Sequence, residues 1–342
     1  MVGSVARLPK SVASGRLTQD TARLDFIAGE SATASYLYWV LRTPHYRQYC
    51  AARITGSASA SFGRKDFLSY PVPPMTTTRE TLVTILEAIE AKIEVNRRTS
   101  ETLEEIARTL FQSWFVDFDP VRGTATLPGD ISRLFPDRLV DSAIGPIPEG
   151  WEVAKVGDVA TVNAMTAKVA NLPETIRYVD ISSAGKNGVL APLELPRASA
   201  PSRARRRVVN GDTVLSTVRP ERGAHFLCLD PPSNLIASTG FATLTPSRVP
   251  WSYLYTSVCR PSVFETLGHL ASGGAYPAIR PSVVAELPLV LPSADLVMRF
   301  HEIVAPMLEE RATLEAGSRT VAELRDTLLP KLISGELRLA PA

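Results

Sequence analysis

The sequence is poor in the residues that build metal, disulfide or membrane chemistry. Its three cysteines, Cys50, Cys228 and Cys259, are odd in number and far apart, which excludes a disulfide framework and a thiolate zinc site and fits reduced thiols. The four histidines, His45, His225, His269 and His301, fall at no metal-ligand spacing. No stretch approaches the roughly 18 consecutive apolar residues of a membrane span. The opening "MVGSVARLPKSVASGR" has no apolar run of the kind a signal peptide carries. A cytoplasmic protein that does not enter a membrane is the expectation. There is no G-x-x-x-x-G-K-[ST] phosphate loop, hence no nucleotide-driven motor, and no Gly-rich cofactor loop. "DPPS" at Asp230 superficially resembles an amino-methyltransferase motif but lacks the aromatic residue that would follow the prolines. Asp117 and Asp119 in "DFDP" have no lysine placed with them as a nuclease would need. The net charge is only +2, so the chain is not basic as a whole.

What the sequence does contain is length and pattern. At 342 residues with 45% hydrophobic content it exceeds one ordinary domain and can bury a sizeable core. Two segments read as long helices. In the first, from about Arg79 to Phe115, Leu82, Ile85, Ile89, Leu103, Ile106 and Leu110 fall on heptad positions a and d. Asn96 takes an a position, and Lys92 and Thr99 take d positions. In the second, from about Ala294 to Ile333, Phe300, Met307, Leu314, Val321 and Leu328 take a, while Ile303 and Leu324 take d. The 3-4 spacing predicts a coiled-coil seam; an amphipathic helix lying on a globular core is the other reading. Pro306 should kink the second helix or mark its true start. Pro120 is expected to stop the first helix, and Pro330 to act likewise near the end of the second. Between the helices, from Trp151 to Pro292, short β-branched and aromatic runs such as "RYVDIS", "RVVNGDTVLSTV" and "FATLTP" alternate with turn residues, the pattern of a mixed α+β domain.

The chain also repeats itself. Tyr36-Leu37-Tyr38 matches Tyr253-Leu254-Tyr255, Gly56 matches Gly273, and Pro71 matches Pro288. "SETLEEIARTL" from Ser100 aligns with "SRTVAELRDTL" from Ser318. The unit is a globular segment followed by a long helix, and the first globular copy is about half the length of the second.

These motifs resemble one family. "LEEIARTLFQSWFVDFDPVRG" looks like the central conserved region of the specificity subunits of type I restriction-modification systems. "IGPIPEGWEVAKVGDVA" looks like the opening of a target recognition domain, and "SRTVAELRDTLLPKLISGEL" like the C-terminal conserved region. The resemblance implies an α+β fold in which target recognition domains are separated by two long helices forming an antiparallel coiled coil. The implied organisation is a C-terminal part of a truncated first recognition domain over 1–75, a central helix over 76–120 and a linker over 121–148. A second recognition domain over 149–293 and a C-terminal helix over 294–342 follow. "EGW" with "VGDV" occurs once, which is why the first domain is expected to be truncated. The resemblance implies a non-catalytic subunit without a cofactor of its own. Its partners would be double-stranded DNA, modification subunits that use S-adenosylmethionine, and a restriction subunit that uses ATP and Mg. A relic scaffold, or a half-subunit that pairs with a second copy of itself, stays open.

Charge supports a division of labour. Residues 151–292 hold 14 Lys and Arg against 10 Asp and Glu, whereas residues 79–119 hold 5 against 9. The globular part is therefore the expected DNA contact and the helices the expected protein contact. The DNA-contact candidates are Arg203, Arg205, Arg206 and Arg207, just ahead of a strand; Arg219 and Arg222 at a hairpin tip; and Tyr276 and Arg280 in the Gly-rich "SGGAYPAIRPS". Arg64 and Lys65 occupy the matching loop of the first copy, and Lys168 and Lys186 are weaker candidates. Arginine can pin phosphates or grip guanine bidentately. Phe111, Trp114, Phe115 and Phe118 read as a hydrophobic anchor, packed internally or docked on the modification subunit, in preference to a base-stacking platform on DNA.

Overall fold

A computed structural model describes every residue except 1–2, 9–13, 19–20, 27–30, 56–60, 186–187, 190–191, 275 and 335–342. Lys186, the small-residue loop that begins at Gly56, and the end of the C-terminal motif from Gly335 lie outside the described residues. The chain divides into two compact units, residues 1–98 with 314–342, and residues 99–313. Two long helices, Thr77–Phe115 and Ala294–Ser334, contribute residues to both.

In the first unit, helices Ser31–Val40 and Pro44–Ala51 pack their aromatic face onto the first long helix. Trp39, Val40, Tyr46 and Tyr70 join Leu82, Val83, Leu86 and Leu329 in one core. The paired helices run antiparallel. Glu90 meets Arg325 at 3.1 Å, and further along Asn96 Nδ2 donates to Ser318 Oγ at 3.1 Å and to the Leu314 carbonyl. Asn96 is buried at this step, with Gly317 opposite its amide. A buried polar residue on a helix seam penalises slipped registers, in which its amide would lose its partners.

The second unit holds the sheets. Strand β1 (Glu152–Lys155) pairs with β10 (Pro288–Leu291) beside the long helices. A four-stranded antiparallel sheet runs β7 (His225–Leu227), β6 (Thr213–Ser216), β9 (Phe241–Pro246), β2 (Ala160–Val162). A second sheet runs β4 (Leu193–Pro196), β3 (Thr175–Val179), β8 (Leu235–Ser238), β5 (Ala204–Arg207), with β3 and β8 parallel. Strands β6, β8 and β9 are almost wholly buried, including the polar side chains of Thr213, Ser216, Ser238 and Thr243.

The repeat is visible element by element. Ser31–Val40, Pro44–Ala51, Arg64–Leu68 and the helix from Thr77 recur in the same order as Trp251–Val258, Pro261–Leu270, Pro281–Ala285 and the helix from Ala294. Tyr36 donates to the Pro73 carbonyl and Tyr253 to the Val290 carbonyl, both across 37 residues.

Several expectations are corrected. On the first helix the buried positions are Leu82, Val83, Leu86, Ile89, Asn96, Ser100, Ala107, Phe111, Trp114 and Phe115. Ile85, Leu103 and Leu110 are half-buried, and Ile106 is 45% exposed. The d residues are thus displaced by one, to 86, 100 and 107, because the apolar stripe follows i, i+4 steps where the strict heptad needed Lys92 and Thr99 inside. On the second helix Phe300 is buried, with Val304, Leu308 and Leu329 as its inward partners. Ile303, Met307, Leu314, Val321 and Leu328 are half-buried, and Leu324 is 48% exposed, its place taken by Arg325. Neither Pro306 nor Pro330 interrupts the second helix, which runs unbroken from Ala294 to Ser334 with both prolines on its exposed side. Pro120 does not stop the first helix. That helix ends at Phe115, Phe118 turns left-handed (φ 57°), and Pro120 lies in the first turn of a new helical turn, Asp119–Arg122. Asp119 accepts from Ser113 Oγ at 2.7 Å and Thr124 Oγ1 at 2.8 Å, which makes it a turn builder.

Candidate nucleic-acid interface

The arginine-rich run is itself a strand, not the residues ahead of one. Ala204 to Arg207 form β5, the edge strand beside β8. Its outer backbone is covered by residues 165–167, since Ala167 donates to the Arg205 carbonyl and Arg207 to the Met165 carbonyl. This leaves the side chains as its accessible groups. Arg203 and Arg205 are exposed, and Arg206 and Arg207 half-buried. Arg206 donates to Thr166 Oγ1 at 2.7 Å. Burial, and then the charge of Arg205, push the Arg206 guanidinium below its ordinary value. Among the described residues no carboxylate forms a salt bridge with these four arginines.

The second cluster lies in the connection between β6 and β7. Arg219 is left-handed (φ 48°), a conformation uncommon for residues other than glycine. A short 3-10 turn, Pro220–Arg222, follows it. The Gly-rich loop holds this tip by its backbone. Arg219 N donates to the Pro277 carbonyl at 2.8 Å, Ile279 N donates to Thr217, and Val218 bridges Ala278. Tyr276 is 73% exposed and lies against the Arg219 guanidinium, 5.0 Å from its ring centroid. Arg222 and Arg280 are exposed, Arg280 at the N-cap of Pro281–Ala285. Gly273, with φ 112°, gives the loop a turn that a side chain would strain.

The turn between β8 and β9 joins the two clusters. Thr239 N donates to the Arg203 carbonyl at 2.8 Å, and Thr217 donates to the Gly240 carbonyl from both its amide and its hydroxyl. Arg203 and Arg219 are thereby tied to one short turn although 16 positions separate them. Sequence reasoning missed Thr217, Thr239 and Gly240. Nothing local marks them; their role depends on which strands become neighbours. Arg64 and Lys65 lie exposed in the first turn of Arg64–Leu68 in the other unit, and Lys168 caps a short 3-10 turn at 169–171.

Helix Pro261–Leu270 supports the tip from behind through Gly268, where an added Cβ would lie 2.9 Å from Glu221 Cβ. Gly268→Val should therefore push the tip off its seat. We expect an overpacking cost of about 1–3 kcal/mol and weakened DNA binding without any change in charge, read by thermal melting and a filter-binding titration. Gly268→Ser, which is smaller, should lie between.

Beneath the tip is a buried polar network. Glu104 of the first long helix pairs with Arg311 of the second at 3.0 Å. Tyr255 OH donates to Glu104 at 3.2 Å and accepts from Arg311 at 2.7 Å. His225 Nε2 has no hydrogen-bond partner among the described residues and faces Glu104 at 3.9 Å, beyond hydrogen-bond range, while Nδ1 contacts the Gly223 carbonyl. Burial raises the Glu104 carboxyl, but His225, Arg311 and Tyr255 outweigh it and hold it below its ordinary value. Sequence reading missed this network too.

Phe111, Trp114, Phe115 and Phe118 are not a docking surface. All four are buried in this unit, packed edge-on against Phe300, Phe135, Trp151 and Tyr253. Among the described residues, no three His, Cys, Asp or Glu side chains are placed to hold a metal, and no helix is long and apolar enough to cross a membrane.

The unit is thus an α+β module on a pair of antiparallel helices, with cationic loops fixed by backbone bonds. The comparisons narrow this. No protein-family profile matches the chain. It is 22% identical over 334 residues to the type I restriction enzyme MjaIX specificity subunit of Methanocaldococcus jannaschii, covering 96% of this chain and 75% of that one. It is 25% identical over 366 residues to the HindI specificity subunit of Haemophilus influenzae, covering 86% and 74%. A solved type I restriction-modification S subunit from M. genitalium aligns with 87% of the chain and 72% of its own length at TM-score 0.48 and 13% identity. The chain is similar over most of its length to type I restriction enzyme specificity subunits.

Proposed function

We propose that this chain is the non-catalytic subunit that directs a type I restriction-modification complex to its DNA target. The similarity to specificity subunits over nearly its whole length carries the reading. In this reading residues 149–293 read one part of a bipartite site, with β5 and the β6–β7 tip facing the duplex. Residues 1–75 are the C-terminal part of a companion recognition domain. The helices over 76–120 and 294–342 set the spacing and carry modification subunits, and S-adenosylmethionine, ATP and Mg are handled by partners. The uncompensated arginines of β5 suit phosphates, which supply sequence-independent affinity. Arg219, held by Tyr276 and by its backbone, suits a base edge.

The test is to express the chain with its modification subunit and map adenine methylation across a genome. A defined bipartite motif is expected; no methylation would overturn the reading. In the same assay Arg219→Ala should relax one base position, at a cost of about 1–3 kcal/mol in discrimination. Arg205→Ala should lower methylation evenly across sites and flatten the salt dependence of binding.

A further inference from the structure

The long helices repeat each other in exposure as well as in sequence. Residues 100–110 align with residues 318–328, one stretch in each compact unit. The side chains at 102, 105, 106 and 109 are exposed, and so are those at 320, 323, 324 and 327. Steps of three and four residues put each set on one face of its helix.

That face is nearly the same in the two copies. Thr102, Glu105 and Thr109 recur as Thr320, Glu323 and Thr327. Ile106, 45% exposed, recurs as Leu324, 48% exposed. The inward positions between them differ in kind: Glu104 corresponds to Ala322, and Ala107 to Arg325. The exposed positions beside the face differ too, Glu101 corresponding to Arg319 and Arg108 to Asp326. Stability constrains inward positions most and solvent-facing ones least, so packing would have kept the opposite set alike. A singly exposed apolar side chain needs no explanation. The same kind of side chain at the same register, beside the same two threonines and the same acid, does.

We infer that this face is a docking surface used twice, each copy seating one molecule of the same protein partner. The partner's side is an apolar pocket for Ile106 or Leu324, edged by a cation for Glu105 or Glu323. Nucleic acid does not suit a face whose one charge is a carboxylate, since phosphate contacts need cations. In the subunit reading above, on which this rests, the partner is the modification subunit, taken up in two copies.

The modification subunit is titrated against the full chain, with stoichiometry read by sedimentation and thermal melting followed in parallel. Two copies are expected on the wild type. Ile106→Asp and Leu324→Asp should each remove one copy, weakening that site by about tenfold or more, and the double variant should bind none. Val95→Asp should still bind two: Val95 is 57% exposed on the first long helix, but its counterpart is Thr313 and its exposure is not shared as an apolar one. If the wild-type chain binds no modification subunit, the subunit reading fails and this inference with it. If the wild type binds and either single variant binds with unchanged stoichiometry, the face assignment fails alone. A wild-type chain that takes only one copy, or a single variant that loses both, overturns the double use. A loss that tracks a fall in melting temperature, or a dimer of the chain alone that Ile106→Asp dissolves, overturns the partner assignment.

Discussion

Trp114→Ala should destabilise the second unit by about 3–5 kcal/mol, the range for emptying a large aromatic site in a close-packed core. Trp114 is 2% exposed and meets Phe115, Phe135 and Phe300 edge to face, so the loss combines transfer, cavity and ring–ring contributions. Calorimetry should show the main transition moved down by many degrees. Binding to the modification subunit, measured well below that transition, should be intact. Lost binding at a temperature where the variant is still folded would restore the docking role that the buried geometry removes. Trp114→Phe should recover much of the stability.

Glu104→Leu should be comparably damaging, for an electrostatic reason. Arg311 is 5% exposed, and Glu104→Leu takes a carboxylate away from this buried cation, a change that costs about 3–5 kcal/mol. Replacing Glu104 and Arg311 together by Leu and Met should be milder than Glu104→Leu alone, since the buried charge goes too. The same pair sets an acid response. Glu104 titrates below its ordinary 4.5 in the fold. Its stabilisation is therefore present above that value and is lost as pH falls through the lower folded one. Melting temperature should drop below about pH 4.5 in the wild type, and Glu104→Gln should lack that component. An acid limb of equal size in Glu104→Gln would assign it to other carboxylates.

The helices, the α+β character of the middle and the repeat were legible in the sequence because each is written in local periodicity or self-similarity. The registers were not. A strict heptad put Ile106 and Leu324 inside, and packing chose the neighbouring Ala107 and Arg325. The prolines misled for a related reason. Pro306 and Pro330 lie on the exposed side of the helix, where pairing elsewhere along the rod carries it past them. The aromatic "FQSWF" announced a contact but not with what; only the return of Phe300 and Trp151 to the same place identified it as core. For the candidate interface, the residue types were legible and their grouping was not. Arg203 and Arg219 come together through Thr239, Gly240 and Thr217, a relation created by strand order alone.

The twin tyrosine bonds have one more consequence. Tyr253 fastens the start of a helical segment to the Val290 carbonyl at its end, and Tyr36 does the same with Pro73. Each segment is a loop of chain closed at its own neck. A gene-level crossover placed at the two sides of such a neck exchanges everything hanging from it and leaves the clasp intact. The loop that holds Tyr276 and Arg280 hangs from the second neck, and the short helix that holds Arg64 and Lys65 from the first. The fold is in this sense built with seams along which one helical segment can be unstitched and another sewn in.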